Sequence, residues 1–322
     1  MVEKEDMAAP RGGPEASDLA RTGALLEEVF GLPRLGRTDF LHWVYQASPE
    51  GEVVQVNLDS PEGRRLAHYA IIPQTYHRQG QMRRLALSLN SAVAGPARGQ
   101  GVFSRLGEET YRKGLARDGL LAVVGVGNFN STRGLLGRLR FRLVRPLPVR
   151  AGVCLPLPSG RVLSRPVGPG WLAGPEADEL LARLDYSPDR LWSQLWTPEK
   201  VRWRLGWPGG GYWIHQGRTG LMVTRAEPYR GLRVAVVLKI WPHQGCPQVR
   251  TGRLLRAACA SHRTPFYLYA GFNSRARVGG LPVPRRFLPR PLNLCYRRVD
   301  SKAPAQEEFR LSVFEFLDFD AY

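Results

Sequence analysis

The run Pro96-Ala97-Arg98-Gly99-Gln100-Gly101 constrains this chain more than any other, because it joins an alternating strand, Leu85 to Val93, to an amphipathic helix that starts at Val102. Gly99 and Gly101 carry no Cβ, so consecutive main-chain N–H groups can turn toward one point. That point is the start of a helix, where unpaired amides and the positive end of the dipole favour an anion. Arg98 adds a full charge on a planar fork that matches phosphate oxygens. The arrangement suits a diphosphate. On the strand itself Leu85, Leu87 and Leu89 alternate with Ala86, Ser88 and Asn90, giving one bulky face and one small, polar face with room for a ligand.

Helical spacing predicts short helices over Arg21 to Phe30 and Asp39 to Tyr45, and alternation predicts strands over Val53 to Leu58 and Leu66 to Ile72, joined by a turn at Pro61 to Gly63. The helix from Val102 runs to about Arg117 and stops at Gly119. Leu120 to Val126, fully apolar, is a central strand parallel to its predecessor; Asn130 or Ser131 then caps a helix reaching Leu139, and Phe141 to Val144 is extended. Pro and Gly crowd Val149 to Pro175, which reads as a crossing between two modules. Helices are expected at Glu176 to Leu184, Asp189 to Trp196 and Pro198 to Leu205, the last opened by Thr197-Pro198-Glu199. Strands at Gly211 to His215, Leu221 to Arg225 and Leu232 to Trp241, a helix at Thr251 to Ser261, and strands at Phe266 to Ala270, Leu292 to Arg298 and Phe309 to Val313 repeat the α/β pattern, without a second Arg-Gly-x-Gly turn. The reading divides the chain into a disordered tail (1–20), a first α/β module (21–150), a linker (151–175) and a second module (176–322).

Charge and sulfur narrow the function classes. Lys and Arg number 46 against 28 acids, a formal net charge of +18, and no acid stands between Glu62 and Glu108, between Asp118 and Glu176, or between Glu227 and Asp300. Such blocks attract anionic ligands: a phosphorylated cofactor, a nucleotide-linked sugar, or nucleic acid. Cys154, Cys246, Cys259 and Cys295 lie far apart with no Cys-x-x-Cys, and the six histidines form no helical pair, so no metal site is expected and a reduced, cytoplasmic protein is. No stretch approaches the roughly 20 apolar residues of a membrane span, and the first twenty-odd residues lack the apolar core of a signal peptide.

On these residues the chain resembles the GNAT superfamily of acyl-CoA-dependent N-acyltransferases, and within it the tandem members with a degenerate second domain. Pro96-Ala97-Arg98-Gly99-Gln100-Gly101 is similar to the family's Arg/Gln-x-x-Gly-x-Gly/Ala cofactor motif, through its Arg-Gly-x-Gly core. Asn128-Phe129-Asn130-Ser131 running to Leu139-Arg140-Phe141 resembles the second motif, with Arg140 in place of the usual Gly. The segment from Trp43 through Tyr45 and Pro49 to Gly51 resembles a stretch ahead of the first strand in tandem members, and Phe309 to Leu311 with Asp318 to Asp320 resembles their last strand. The likeness is strong from Phe40 to Val144 and weak beyond Gly174.

The resemblance implies a GNAT-like mixed sheet flanked by helices, followed by a second GNAT-like α/β module. It also implies acetyl-CoA or another acyl-CoA as cofactor, with the pyrophosphate on the amides of Gly99, Gln100, Gly101 and Val102 beside Arg98. Pantetheine would then lie against Ser91, Ala92 and Val93, with Asn128 and Asn130 opposite and a strand amide near Val93 polarising the acyl carbonyl. A small-molecule amine, an amino sugar for example, would attack directly. No Asp or Glu stands on the Leu85 to Val93 strand as a base, and Leu135, Leu136 and Gly137 occupy the region of the usual acid Tyr. Catalytic candidates are therefore unranked: Asn90 through water, His68, Tyr69, Tyr76, His77 and the carboxylate of Tyr322. The aromatic group Trp192, Trp196, Trp203, Trp207, Tyr212 and Trp213 reads as interface packing before it reads as a stacking platform. A rival strand-Gly125-x-Gly127 reading as a dinucleotide site fails at Asn130 and for want of an acid about 20 residues later. Two other classes stay open, an acyl-CoA binder without turnover and a basic nucleic-acid binder, the second lacking any nucleic-acid motif.

Overall fold

The computed structural model describes residues 15–157, 160–187, 189–207, 209–288, 291–300 and 309–319, the side chains of Phe129 and Asn130 excepted. Helix α1 (Ala16–Phe30) begins inside the expected tail, since Leu19 is buried and Asp18 and Thr22 both bind the buried guanidinium of Arg65. Residues 1–14 lie outside the described residues. Helix α2 (Thr38–Tyr45), strands β1 (Val54–Asp59), β2 (Arg65–Arg78) and β3 (Gln81–Val93), helix α3 (Val102–Asp118), strand β4 (Ala122–Gly127), helix α4 (Phe129–Gly137) and strand β5 (Arg142–Pro146) follow, close to the pattern expected from periodicity. Gly119 ends α3 in the left-handed conformation, φ 61°, with its N–H on the last turn.

The crossing segment is structured. Val149–Val153 is strand β6, Leu163–Pro166 is β7 and Pro169–Leu172 a single-turn helix α5, ahead of α6 (Pro175–Ala182). The helix expected at Asp189 to Trp196 is absent; Ser193–Gln194 forms β8, which pairs with β2 at Tyr76 and His77, and Leu195 N–H donates to the Thr75 carbonyl. An available strand edge satisfied the backbone that helical spacing alone would have coiled. Helix α7 (Pro198–Leu205) is capped by Thr197, whose hydroxyl accepts from Lys200 N–H. Strands β9 (Trp213–Gln216), β10 (Gly220–Tyr229) and β11 (Leu232–Pro242), helix α8 (Thr251–Ser261), strands β12 (Phe266–Asn273), β13 (Leu281–Pro282), β14 (Asn293–Arg298) and β15 (Val313–Glu315), and helix α9 (Phe316–Phe319) complete the described chain.

Two mixed sheets result, and they exchange strands. The first runs β1-β2-β3-β4-β14-β5, with β8 on β2; the second runs β13-β6-β12-β11-β10-β9-β7, with β15 on β12. Thus β14, which follows the second module, lies between β4 and β5, and β6, which follows the first, lies between β12 and β13. Gly152 makes the second insertion possible: a Cβ there would stand 2.3 Å from the Tyr267 ring. Each sheet contains one parallel pair, β3 with β4 and β11 with β12.

Helices α3 and α4, with Leu139 just past the end of α4, cover one face of the first sheet through Val102, Leu106, Leu135 and Leu139 against Tyr69, Ile71 and Val123. The opposite face, Leu85, Leu87, Val124 and Leu294, is covered by Trp192, Phe309, Phe314 and Phe319 from beyond the second module's start. Trp43 of the first module stacks on Trp203 of the second at 5.2 Å, each indole N–H donating to the other's backbone carbonyl, whereas Trp196 meets Trp241 edge-on and Trp213 packs on His215 and His262 within the second module. Among the described residues no helix is long and apolar enough to cross a membrane, and no group of three His, Cys, Asp or Glu is placed to hold a metal ion.

Candidate active site

Strands β3 and β4 pair from Leu85↔Ala122 to Ser88↔Gly125 and then separate, although β3 continues to Val93 and β4 to Gly127. The cause is local. Asn90 stands at φ 52°, and Tyr69 of β2 faces both Asn90 and Ser91, so β3 carries a bulge where its partner does not. Asn tolerates the left-handed region better than other side chains that carry a Cβ. Bending at the bulge turns Leu89 to Val93 away from β4, and a gap opens between two parallel strands. The Asn90 side-chain amide itself is buried beside Tyr45, on the α2 side of the strand.

The gap leads to the glycine turn. A short 3-10 turn, Gly95–Ala97, is braced by Arg98 Nε on the Val93 carbonyl (3.0 Å) and by Gln100 Nε2 on the Pro96 carbonyl (3.1 Å). Gly99 and Gly101 take φ 80° and 71°, and no side chain caps α3. The first-turn amides therefore face solvent at an exposed helix start. Ser91, Ala92, Val93, Arg98, Gly99, Gln100, Gly101 and Val102 thus run from the strand gap to the helix N-terminus, Ala92 and Val102 buried and the residues from Arg98 to Gly101 exposed. Asn128 stands across the gap at the end of β4, where its Oδ1 accepts from Ser131 N–H and Oγ–H while Ser131 Oγ accepts from Asn128 N–H, a reciprocal cap on α4. Asn130 lies in the first turn of α4 with its side chain outside the described residues.

The catalytic candidates separate in space. His68 and Asn90 come together beneath α2: His68 Nδ1 lies 2.6 Å from Asn57 Oδ1 and Nε2 lies 2.9 Å from Tyr45 Oη. Asn57 Oδ1 can only accept, so Nδ1 carries the proton and Nε2 accepts from the Tyr45 hydroxyl. Burial, aided by Arg65, pushes the His68 pKa down to about 3, and burial raises that of Tyr45. Both groups are neutral at pH 7. Tyr69 belongs to the α3 face, with its hydroxyl 2.5 Å from that of Tyr111 and accepting from Ser88 Oγ. Tyr76 is fully buried farther along β2, donating to Gln74 Oε1 and packing on Phe309. His77 lines a crevice between the modules with Asp185, Gln194, Lys239 and Asn273, its pKa lowered by burial. Tyr322 lies outside the described residues.

A polar cluster not singled out from the sequence lies on the face of β3 away from α3. A narrow cavity of about 30 Å³ is lined by Leu87, Leu89, Gln74, Glu50, Lys200 and Asp318, among others. Glu50 holds Lys200 (2.6 Å) and Arg84 (2.9 Å). Asp318 takes both oxygens to Lys239 (2.8 and 2.7 Å) and accepts from Trp196 Nε1 and from the Glu315 amide. With its amide oxygen toward Gln74 and Lys200, Gln194 donates to Asp318 and links the two pairs. Burial lowers the Lys200 pKa. Of the charged groups, Glu50 was marked in the sequence within the Trp43 to Gly51 segment and Asp318 as part of a terminal strand, and Asp318 stands in α9 instead. A lone Lys in an Arg-rich chain is a faint signal, and what gives Lys200 and Lys239 meaning is that folding buries them together.

In the second module β11 and β12 pair only from Ala235↔Tyr267 to Val237↔Tyr269, so they too separate, but that gap is filled by β15. Glu315 accepts from Ile240 N–H, Tyr269 Oη and Asn273 Nδ2 inside it. The parallel strands parted by a bulge, the uncapped glycine turn and the helix behind it are the decisive combination. The fold is that of the GNAT acyltransferases.

Solved GNAT structures superpose over most of the chain. A GCN5-related N-acetyltransferase from Kribbella flavida is 16% identical with a TM-score of 0.57, covering 89% of this chain and 70% of that one. One from Anabaena variabilis is 12% identical, TM-score 0.55, covering 89% and 71%. Saccharomyces cerevisiae N-myristoyltransferase with bound myristoyl-CoA is 11% identical, TM-score 0.56, covering 91% and 84%. The sequence matches no protein-family profile and no curated protein. In this chain the strand gap is open in the first module and closed by β15 in the second.

Proposed function

We propose that this protein is an N-acyltransferase that moves an acyl group, acetyl first among them, from acyl-CoA to a primary amine of a small molecule such as an amino sugar, in the cytoplasm. The observation that carries the reading is the open gap between β3 and β4 running into the uncapped start of α3. The Gly99 to Val102 amides with Arg98 fit a diphosphate. When bound, acyl-CoA supplies an activated thioester. The chain's part is to hold it along Ser91 to Val93, to offer a strand amide to the carbonyl, and to keep the reacting end dry under Leu87, Leu89 and Phe319.

Isothermal titration with acetyl-CoA and CoA tests the reading. Wild type is expected to bind both, and the Arg98→Ala/Gly101→Glu variant, with its phosphate cradle blocked, to lose binding. No binding by folded wild type would overturn the reading. A second reading, an acyl-CoA binder without turnover, is supported by the neutral His68 and Tyr45 and by ion pairs that occupy Glu50 and Asp318. Binding without acyl transfer across an amine panel would select it.

A further inference from the structure

We propose that the second module binds a small diphosphate-bearing ligand in a cavity at the start of α8, separate from the strand gap of the first module. The cavity measures about 780 Å³, within the range of small-molecule sites, and Arg161, Arg218, Arg250 and Arg253 all line it. No carboxylate does, and among the described residues none of the four guanidinium groups has an ion-pair partner. The chain's basic composition does not by itself produce this. A cavity of similar size, about 770 Å³, between α1 and α3 is lined by Glu15, Asp18 and Glu52 together with Arg21, Lys113 and Arg117.

The backbone contributes to the same point. No side chain caps α8, because its N-cap residue Arg250 carries no acceptor, and at Gly252 a Cβ would meet open space, so a ligand can approach the first-turn amides. Arginine forks suit phosphate oxygens. One phosphate monoester carries a charge of about −1.5 to −2, which four guanidinium groups exceed and two phosphates match. The cavity lining holds no aromatic side chain on which a nucleic-acid base would stack. Because β15 fills the gap between β11 and β12, a thioester arm has no strand edge to follow here. The ligand is therefore recognised by its phosphates, as inorganic pyrophosphate or a nucleoside diphosphate would be.

Isothermal titration of the full chain with pyrophosphate, ADP and inorganic phosphate, with and without saturating CoA, tests this. Pyrophosphate is expected to bind in the presence of CoA, at least about tenfold tighter than phosphate. Arg218→Ala/Arg253→Ala should weaken it by about tenfold or more and leave CoA binding unchanged, while Arg98→Ala should leave it intact. All four arginines are exposed, so a melting curve matching wild type checks the fold. ADP binding tighter than pyrophosphate would identify a nucleotide, and equal binding the diphosphate alone, both in support. Failure of folded wild type to bind pyrophosphate overturns the proposal. Equal loss on replacing the remote Arg142 and Arg145 would also overturn it, as would tighter binding of single-stranded RNA through the same arginines. Loss of CoA binding alone would overturn the acyltransferase reading and leave this one standing.

Discussion

Burial holds His68 and His215 near pKa 3 and His262 near 4, below the ordinary value of 6.5. His215 and His262 share the Thr224 hydroxyl, each at 2.8 Å, as His68 shares Tyr45 and Asn57. Because the folded pKa is depressed, the unfolded chain takes up protons first. Stability is then complete above about pH 6.5 and falls as pH drops toward 3. Urea midpoints measured from pH 7.5 to 4 should decline, and His68→Gln should flatten part of that decline; an unchanged slope would show that His68 does not fold neutral. The Lys239–Asp318 pair makes the other residue-scale prediction. Lys239→Met strands two buried carboxylates, Asp318 and Glu315, and is expected to cost about 3–5 kcal/mol by denaturant titration. The double change Lys239→Met/Asp318→Leu should recover part of it.

At the scale of elements, β3 and β15 have opposite tasks. A bulge at Asn90 opens the first gap, and a strand from the far end of the chain closes the second. Close approach of β15 to β12 requires Gly271, at φ 118°, where a Cβ would stand 2.2 Å from the Phe314 carbonyl oxygen. Burial raises the Glu315 carboxyl to about pH 7. Its folded pKa lies above the ordinary 4.5, so the associated stability is complete below 4.5 and is lost as pH rises through 7. Glu315→Gln should remove that loss: melting temperatures of variant and wild type would converge at pH 5 and diverge at pH 8, with the variant higher. Helix α3 was legible end to end, since a glycine turn opens it, Gly119 closes it and its apolar positions fit one face. Strand β8 was not, because only the exposed edge of β2 distinguishes it from a helix turn.

The whole molecule is tied together by strand exchange. With β14 in the first sheet and β6 in the second, neither sheet is complete without the other half of the chain. Calorimetry should therefore show one unfolding transition rather than two. Gly152→Ala forces a methyl into the Tyr267 ring and is expected to cost about 1–3 kcal/mol. Its effect should lower that single transition as a whole; a shift confined to one of two resolved steps would refute the coupling.

Local chemistry was readable in the sequence alone: the glycine turn, the alternation of β3, the helix behind it, and the acid-free blocks are written in consecutive residues. These features depend on backbone freedom, side-chain period and charge, all of which act over a few positions. Which strands become neighbours depends instead on contacts between residues far apart in sequence. The exchange of β6 and β14, the burial of Lys200 and Lys239 against Glu50 and Asp318, the neutral His68 under α2 and the arginine-lined cavity at α8 each join segments tens to hundreds of positions apart. Tertiary structure decided them, because periodicity determines which face a residue lies on and only packing determines what that face meets.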